Sequence, residues 1–180
     1  MANYSLHTIS SHELTRAQLS EVIALCSEVF HLDYAFYMDL CPDRIHVLGY
    51  ADGYLAAHAL WLDRRLWVGN ARGLPLRGAY VEGVCTHADH RRRGYGSALM
   101  RRLQEEIVRA GYELAALSPA RVDWYERLGW VRWRGPLFIE RDGVLQATPD
   151  DCVLVYTTPR SEGIDVQQPL IAEWRPFELW

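Results

Sequence analysis

The sequence predicts an α/β fold of the α+β type, formed by one domain that spans residues 1–180. Two features of the chain indicate this. Segments with apolar residues at helical spacings alternate with short strand-like runs, and the period of the pattern distinguishes the two. The chain also lacks any repeat or low-complexity linker, and 180 residues ordinarily form a single domain.

The N-terminal third predicts two helices followed by a β-hairpin. Residues 14–30 carry apolar side chains at helical spacings, which predicts an amphipathic helix. A shorter helix is expected over 34–40. It should end before Pro42, because proline cannot continue a helix. The apolar runs within 45–62 then flank an Asp-Gly pair, and such a pair between apolar runs is typical of a hairpin turn.

The middle of the chain predicts a strand, a glycine-containing loop and a helix. A polar connection with Gly and Pro is expected over 64–77, and the run AYVEGVCT at 79–86 is the most strand-like of the chain. The basic segment RRRGYG at 91–96 follows, and a helix is predicted from there to about Ala110. Its apolar stripe consists of Leu99, Leu103 and Ile107.

The C-terminal part predicts further alternation of strands and helices. The run ELAALS at 113–118 indicates a strand, and 120–128 indicates a helix that Gly129 closes. Two more strands are expected at 130–133 and 153–156.

The composition excludes several classes of enzyme. All 19 basic residues are arginine, so the chain has no lysine for a Walker-type phosphate loop or a pyridoxal Schiff base. The four cysteines form no C-x-x-C pair, which argues against a zinc site or a redox motif, and we expect no metal. The N-terminus has no apolar signal core and no run is long enough to cross a bilayer. We therefore expect a reduced, cytoplasmic, soluble protein.

The charge is unevenly distributed along the chain. Residues 61–134 hold 14 of the 19 arginines, whereas both flanks are acidic. A basic middle between acidic flanks suggests one anionic and one cationic ligand, although solvated surface charge is the plainer interpretation. Nucleic-acid binding usually requires a basic domain, so the pI of about 6.0 argues against it.

The segment at 91–96 has the features of a phosphate-binding loop. Glycines after a strand allow a phosphate to approach the backbone, and the N-terminus of the following helix attracts it. A dinucleotide fingerprint needs a third glycine, and Leu99 stands in its place. A glycine turn with solvated arginines is the alternative.

The loop RRRGYG resembles the Arg/Gln-x-x-Gly-x-Gly/Ala loop of the GNAT superfamily of N-acetyltransferases. A narrower resemblance is to the aminoglycoside 2'-N-acetyltransferases, carried by YVEGV, AALS, WYERLGW, RWRGP, TPDD and the terminal EWRPFELW. This resemblance implies a mixed central β-sheet flanked by helices, with the pyrophosphate loop between the fourth strand and the following helix. It also implies acetyl-CoA as co-substrate, a homodimer and an aminoglycoside substrate, with kasugamycin as one candidate.

The resemblance further implies roles for individual residues. Glu82 corresponds to the proposed base, Tyr125 to the general acid, and the backbone N–H of Val84 to the donor for the thioester oxygen. Acetyl-CoA is then expected to contact Val84, Thr86, Arg91, Arg92, Arg93, Gly94, Tyr95, Gly96, Ser97 and Ser118. The acceptor is expected to contact Asp33, Glu82, Asp151, Glu178 and the carboxylate of Trp180.

Structural interpretations of the same residues stay open at this point. Glu82 could be a strand-edge carboxylate and Tyr125 a core aromatic, while the acids could be ordinary surface charges. His58 is expected to be a core histidine with its hydrogen bonds satisfied, and Cys85 a buried thiol. Two other functions also stay open: a general amine or protein N-terminal acetyltransferase, and a non-catalytic acetyl-CoA-binding module.

Overall fold

A computed structural model describes residues 3–40, 43–176 and 180. The chain forms two compact units. Unit 1 consists of Met1–Leu62 and Val81–Glu106, and unit 2 consists of Asp63–Tyr80 and Ile107–Trp180. No helix in the described part of the chain is both long and apolar enough to span a membrane.

In its described residues, unit 1 combines three α-helices with strands that it holds wholly or in part. Its elements are β1 (Tyr4–Ser10), α1 (Arg16–Phe30), α2 (Tyr34–Leu40), β2 (Ile45–Ala51), the first part of β3 (Tyr54–Val68), the last part of β4 (Leu76–Thr86), a 3-10 turn (Ala88–His90) and α3 (Tyr95–Arg109), whose last three residues belong to unit 2.

The first strands of unit 1 form an antiparallel ribbon. β1 pairs with β2 from Tyr4 opposite Ala51 to Ser10 opposite Ile45, and β2 pairs with β3. The predicted hairpin is confirmed, because Asp52 and Gly53 have φ of 51° and 86°, as a type I′ turn requires.

Helix α1 begins where the sequence can cap it. The Thr15 side chain accepts a hydrogen bond from the Gln18 backbone N–H, and the Gln18 side chain accepts one from the Thr15 N–H. This capping box satisfies two N–H groups that the first turn leaves without helical partners. The helix ends at Phe30, and the capping residue His31 has φ of 56°. Both predicted N-terminal helices are confirmed by the observed bounds of α1 and α2.

The described part of unit 2 contains the remaining strands and one short helix. Its elements are the last part of β3, the first part of β4, β5 (Leu114–Leu117), α4 (Val122–Glu126), β6 (Val131–Arg132), β7 (Leu137–Arg141), β8 (Val144–Ala147), β9 (Leu154–Thr157) and β10 (Leu170–Glu173). Its strands follow the order β6-β9-β5-β4-β3-β10-β7-β8. β4 and β5 are parallel, as are β10 and β7, whereas β5 and β9 are antiparallel. The sheet is therefore mixed, as expected.

Strand β3 is longer than the sequence indicates. A polar connection is predicted from Arg64, but the strand continues to Val68. The reason is that the side chains of Arg64 and Arg65 find partners in other strands. The Arg64 guanidinium lies 4.6 Å from the centre of the Tyr80 ring and donates to the Glu173 carbonyl, and Arg65 forms an ion pair with the Glu173 carboxylate.

Four strands are not predicted from the sequence, namely β1, β7, β8 and β10. The turn between β7 and β8 carries an Asp-Gly pair, Asp142 and Gly143, with φ of 53° and 81°. The same signal that locates the β2–β3 hairpin is therefore present here.

Helix α4 is also shorter than the predicted 120–128.

Candidate active site

The loop at 91–94 joins the 3-10 turn to α3 and lies in unit 1. Its four residues are exposed, and Arg92 and Gly94 have φ of 62° and 84°. Among the described residues, no atom lies within 4 Å of the position that a Gly94 Cβ would take. The backbone is therefore open to a ligand at this point.

Helix α3 presents its first N–H groups beside this loop. The Ala98 N–H donates to the Gly94 carbonyl at 3.0 Å, which makes it the first helical hydrogen bond after the loop. The N–H groups of Tyr95, Gly96 and Ser97 precede this bond, and N–H groups in such positions have no partner within the helix. They are suited to the oxygens of a pyrophosphate, so the loop fits the acetyl-CoA phosphates that the sequence resemblance implies.

Two side-chain contacts hold the loop at its ends. The Arg91 Nε donates to the Thr86 carbonyl at 3.1 Å. The Tyr4 hydroxyl donates to the Tyr95 carbonyl at 3.1 Å, and the two tyrosine rings stack with centroids 4.1 Å apart. Burial, together with the nearby Tyr95, raises the pKa of Tyr4, so its hydroxyl keeps its proton. The arginine side chains of 92 and 93 are exposed beside this fixed backbone.

Strand β4 departs from regular geometry at Gly83. This residue has φ of 59°, and a Cβ there would collide with the Tyr34 hydroxyl. Glu82 and Val84 flank it, and both are half-buried. Burial is the main reason that the pKa of Tyr34 is raised, and the nearby Glu82 carboxylate acts in the same direction. The distortion is therefore built by a glycine together with a buried tyrosine from α2.

Tyr125 lies in unit 2, on α4, and its side chain is packed among tryptophans. Its ring makes edge contacts with Trp124 and Trp130, with centroids 4.7 and 6.1 Å away. The Tyr125 carbonyl accepts hydrogen bonds from the N–H groups of Leu128 and Trp130. Only 8% of the residue is exposed. This packing fixes the orientation of the ring. Such an orientation is compatible with a core aromatic residue and with an acid that has to be positioned.

The other predicted residues of unit 2 lie at the ends of strands and turns. Ser118 is exposed directly after β5, and Asp151 is exposed in the turn before β9. The Trp180 side chain is buried, and its indole N–H donates to the Thr148 hydroxyl at 2.8 Å. Glu178 lies outside the described residues.

Asp33 is the predicted acceptor residue that unit 1 holds besides Glu82. It is exposed, and its carboxylate accepts a hydrogen bond from the Ala35 N–H at 3.1 Å. Asp33 therefore caps α2, and the same helix carries the Tyr34 hydroxyl that contacts Gly83.

The residues that support this backbone, chiefly Tyr4 and Tyr34, are not predicted from the sequence. A signal for them was present, because an isolated glycine inside a strand often marks a close approach. A Cβ at Gly49 would collide with the Tyr4 hydroxyl, as one at Gly83 would with Tyr34.

Comparisons with known proteins address the family directly. The family described as "Acetyltransferase (GNAT) domain" matches residues 10–132. An aminoglycoside 2'-N-acetyltransferase from Mycolicibacterium fortuitum is 32% identical over 134 residues, which cover 71% of this chain and 67% of that protein. The resemblance found in the sequence is therefore confirmed.

Solved structures of low sequence identity share the fold. An acyl-CoA N-acyltransferase from Pseudomonas aeruginosa aligns with a TM-score of 0.62 and 20% identity, over 86% of this chain and all of that one. A GNAT family N-acetyltransferase from Escherichia coli in complex with CoA aligns with a TM-score of 0.60 and 13% identity, over 97% of this chain and 89% of that one. With the loop, the strand before it and these matches in place, the chain belongs to the GNAT family of acetyltransferases.

Proposed function

We propose that this acetyltransferase transfers the acetyl group of acetyl-CoA to the 2'-amino group of an aminoglycoside, and thereby confers resistance to it. The observation that carries the proposal is the 32% identity to an aminoglycoside 2'-N-acetyltransferase across 71% of the chain. Acetyl-CoA supplies the acetyl group as an activated thioester. The N–H groups at the start of α3 and the arginines of the loop would hold its phosphates.

Glu82 is the proposed base. A sugar ammonium is largely protonated near neutral pH, so a base must remove a proton, directly or through water, before the nitrogen can attack. A half-buried carboxylate beside the distorted residue of β4 is suited to this task.

Tyr125 is the proposed acid, and the Val84 N–H is the proposed donor to the thioester oxygen. The Tyr125 hydroxyl gives its proton to the departing sulfur. A backbone N–H aimed at the oxygen stabilises the negative charge that develops there during transfer. No covalent acetyl-enzyme is required, so the amine attacks directly.

The acceptor is proposed to be held by carboxylates. An aminoglycoside carries several ammonium groups, which charge-assisted hydrogen bonds to carboxylates recognise. Asp33 and Asp151 are exposed and available for such contacts. Glu82, Glu178 and the Trp180 carboxylate complete the proposed set.

A thiol-release assay with several amines tests the function. We expect release with at least one of kasugamycin, gentamicin and tobramycin, and none with amikacin, which carries a hydroxyl at the 2' position. Mass spectrometry of the product should locate one acetyl group on the 2' nitrogen. Equal release with amikacin would exclude the 2'-amine as the site.

Peptide acceptors and a binding measurement separate the alternatives. Release with peptide N-termini but not with aminoglycosides would favour a protein acetyltransferase. Acetyl-CoA binding without release on any amine would favour a non-catalytic module. Expression in a susceptible bacterium should raise the minimal inhibitory concentration of the drug that the enzyme acetylates, and light scattering tests the proposed homodimer.

A further inference from the structure

A row of buried polar groups crosses the interior of unit 1 and ends on the backbone of β4. The Ser11 hydroxyl lies 3.0 Å from His46 Nε2, His46 Nδ1 lies 2.9 Å from His58 Nε2, and His58 Nδ1 lies 3.0 Å from the Gly83 carbonyl oxygen. Both histidines are fully buried. The expectation that His58 is a core histidine with hydrogen-bond partners is therefore confirmed, and the identity of its last partner suggests a function.

The direction of the last hydrogen bond in this row follows from the chemistry of its acceptor. A carbonyl oxygen only accepts, so His58 Nδ1 carries a proton and donates to Gly83. Burial lowers the pKa of His46 to about 3, so this ring is neutral at neutral pH and has one N–H. His58 Nε2 lies beside His46 Nδ1, and His46 Nε2 lies beside the Ser11 hydroxyl, which also donates to the Arg44 carbonyl at 3.2 Å. Each ring nitrogen therefore has a polar partner within hydrogen-bond distance, as burial requires.

The Gly83 carbonyl and the Val84 N–H belong to the same peptide unit. No cis peptide bond occurs in the described backbone, so this unit is trans and its two groups point in opposite directions. A hydrogen bond that holds the carbonyl toward the interior therefore also directs the N–H away from it. The left-handed φ of Gly83 departs from regular strand geometry, and the contact from His58 holds the carbonyl of this peptide toward the interior.

We propose that His58 is a positioning residue that aims the Val84 N–H at the thioester oxygen. His46 supports it by contacting the other ring nitrogen of His58 at 2.9 Å, which helps to fix the orientation of the ring. This inference rests on the proposed function, because Val84 acts only if acetyl transfer occurs there. The Val84 N–H alone contacts the thioester oxygen, and the His58 side chain holds that N–H in position.

Two cysteines beside His58 offer a competing use for the same nitrogen. Cys26 Sγ lies 3.4 Å from His58 Nδ1 and 3.7 Å from Cys85 Sγ, and ligand atoms of the three residues lie within 4.8 Å of one another. Such a set could hold a soft metal ion. A metal ligand needs the lone pair of Nδ1, whereas the hydrogen bond to Gly83 needs a proton there. The two uses exclude each other, and the 3.0 Å contact with a carbonyl oxygen favours the proton.

The tautomer of His58 tests this assignment without any substrate. In protein labelled with ¹⁵N-histidine, we expect the His58 ring to carry a proton on Nδ1, its signals being identified by their loss in His58→Asn. An Nδ1 without a proton, or a shift of the Nδ1 resonance upon addition of Zn²⁺, would overturn the proposal. Because this measurement does not depend on turnover, its failure is distinct from a failure to acetylate aminoglycosides.

Three substitutions of His58 test the positioning role in the reaction. The amide nitrogen of Asn can take the place of Nδ1, that of Gln reaches toward the place of Nε2, and Leu has no donor. Loss of one oxyanion donor typically lowers kcat by about 10²-fold to 10³-fold. We therefore expect His58→Leu and His58→Gln to lower kcat at least about 10-fold with the KM for acetyl-CoA nearly unchanged, and His58→Asn to recover most of kcat.

Thermal unfolding of the same variants separates positioning from packing. His58→Asn and His58→Gln both place an amide in the core, so a packing effect would lower kcat in proportion to the loss of Tm in both. Such a proportional loss would overturn the proposal, as would an unchanged kcat in His58→Leu. The kinetics use whichever amine the wild-type enzyme acetylates, so the identity of the acceptor does not affect the result.

Discussion

The strand and loop of unit 1 differ from helix α4 of unit 2 in the kind of group that each presents. In unit 1 the groups proposed to contact the thioester oxygen and the phosphates include backbone amides, beside the side chains of Glu82 and the loop arginines. Side chains of other elements hold that backbone, as Tyr4 does at Tyr95 and His58 does at Gly83. In α4 the proposed group is the Tyr125 hydroxyl, on a ring that neighbouring tryptophans orient. Function in unit 1 should therefore depend on supporting residues, whereas function in α4 should depend on one oxygen atom.

The largest effect is expected from Gly83→Ala. A Cβ there would collide with the Tyr34 hydroxyl, and φ of 59° is strained for alanine. We expect kcat to fall by about 10³-fold, as for a misplaced oxyanion donor, and the free energy of unfolding to fall by about 1–3 kcal/mol. Kinetics and urea unfolding measure the two effects.

The matched control for Gly83→Ala is Gly73→Ala. Among the described residues, no atom lies within 4 Å of the position of a Gly73 Cβ, and its φ lies outside the left-handed region. This control should keep both activity and stability. Wild-type kcat in Gly83→Ala would show that the distortion of β4 is not needed for the reaction.

A large effect on rate alone is expected from Tyr125→Phe. The ring and its packing stay, and only the oxygen is lost, so we expect kcat to fall by about 10²-fold with little change in Tm. Tyr156→Phe is the control, because Tyr156 also lies near Trp130, with ring centroids 5.7 Å apart. If turnover in Tyr125→Phe equals that of the control, Tyr125 is a packing residue and the contrast between the two regions disappears.

A moderate effect on acetyl-CoA binding is expected from Tyr4→Phe. The change removes the hydrogen bond to the Tyr95 carbonyl and keeps the stacked ring. Loss of one such bond costs about 1 kcal/mol, so the Kd for CoA should rise by about 5-fold. Calorimetry measures it, with Tyr54→Phe as the control, since Tyr54 is 73% exposed. An unchanged Kd would mean that the loop keeps its geometry without this contact.

The smallest effect is expected from Glu173→Gln, at a surface ion pair of unit 2. The hydrogen bond from Arg65 lowers the pKa of Glu173. This carboxylate therefore stabilises the fold above its unfolded pKa of about 4.3, and the contribution is lost as the pH falls through the lower folded pKa. Because the pair is partly exposed, we expect a loss of a few tenths of a kcal/mol at pH 7.

The pH dependence of unfolding checks this last expectation. The difference in Tm between wild type and Glu173→Gln should shrink as the pH falls below about 4. Glu162→Gln, at an exposed position, serves as the control for the loss of one charge. A difference that persists at low pH would assign the effect to packing of the Glu173 side chain.

Much of the local structure could be predicted from the sequence. Helices α1, α2 and α3, the β2–β3 hairpin and the strand–loop–helix segment with its two glycines all follow from patterns within a few residues. The physical reason is that apolar periodicity, caps and turn residues act over one or two turns of chain. The acetyltransferase resemblance rests on the same segment, so the family could be identified before the fold was known.

The contacts that give this backbone its geometry were decided by the tertiary structure alone. Tyr4 meets Tyr95, and Cys26 meets Cys85, across 91 and 59 residues of chain. Strand β3 also continues through Arg64 and Arg65, because Glu173 accepts hydrogen bonds from both side chains. The sequence by itself determined where the reactive segments lie. Which buried groups orient them depends on packing and hydrogen bonding between distant residues, and no local pattern records those interactions.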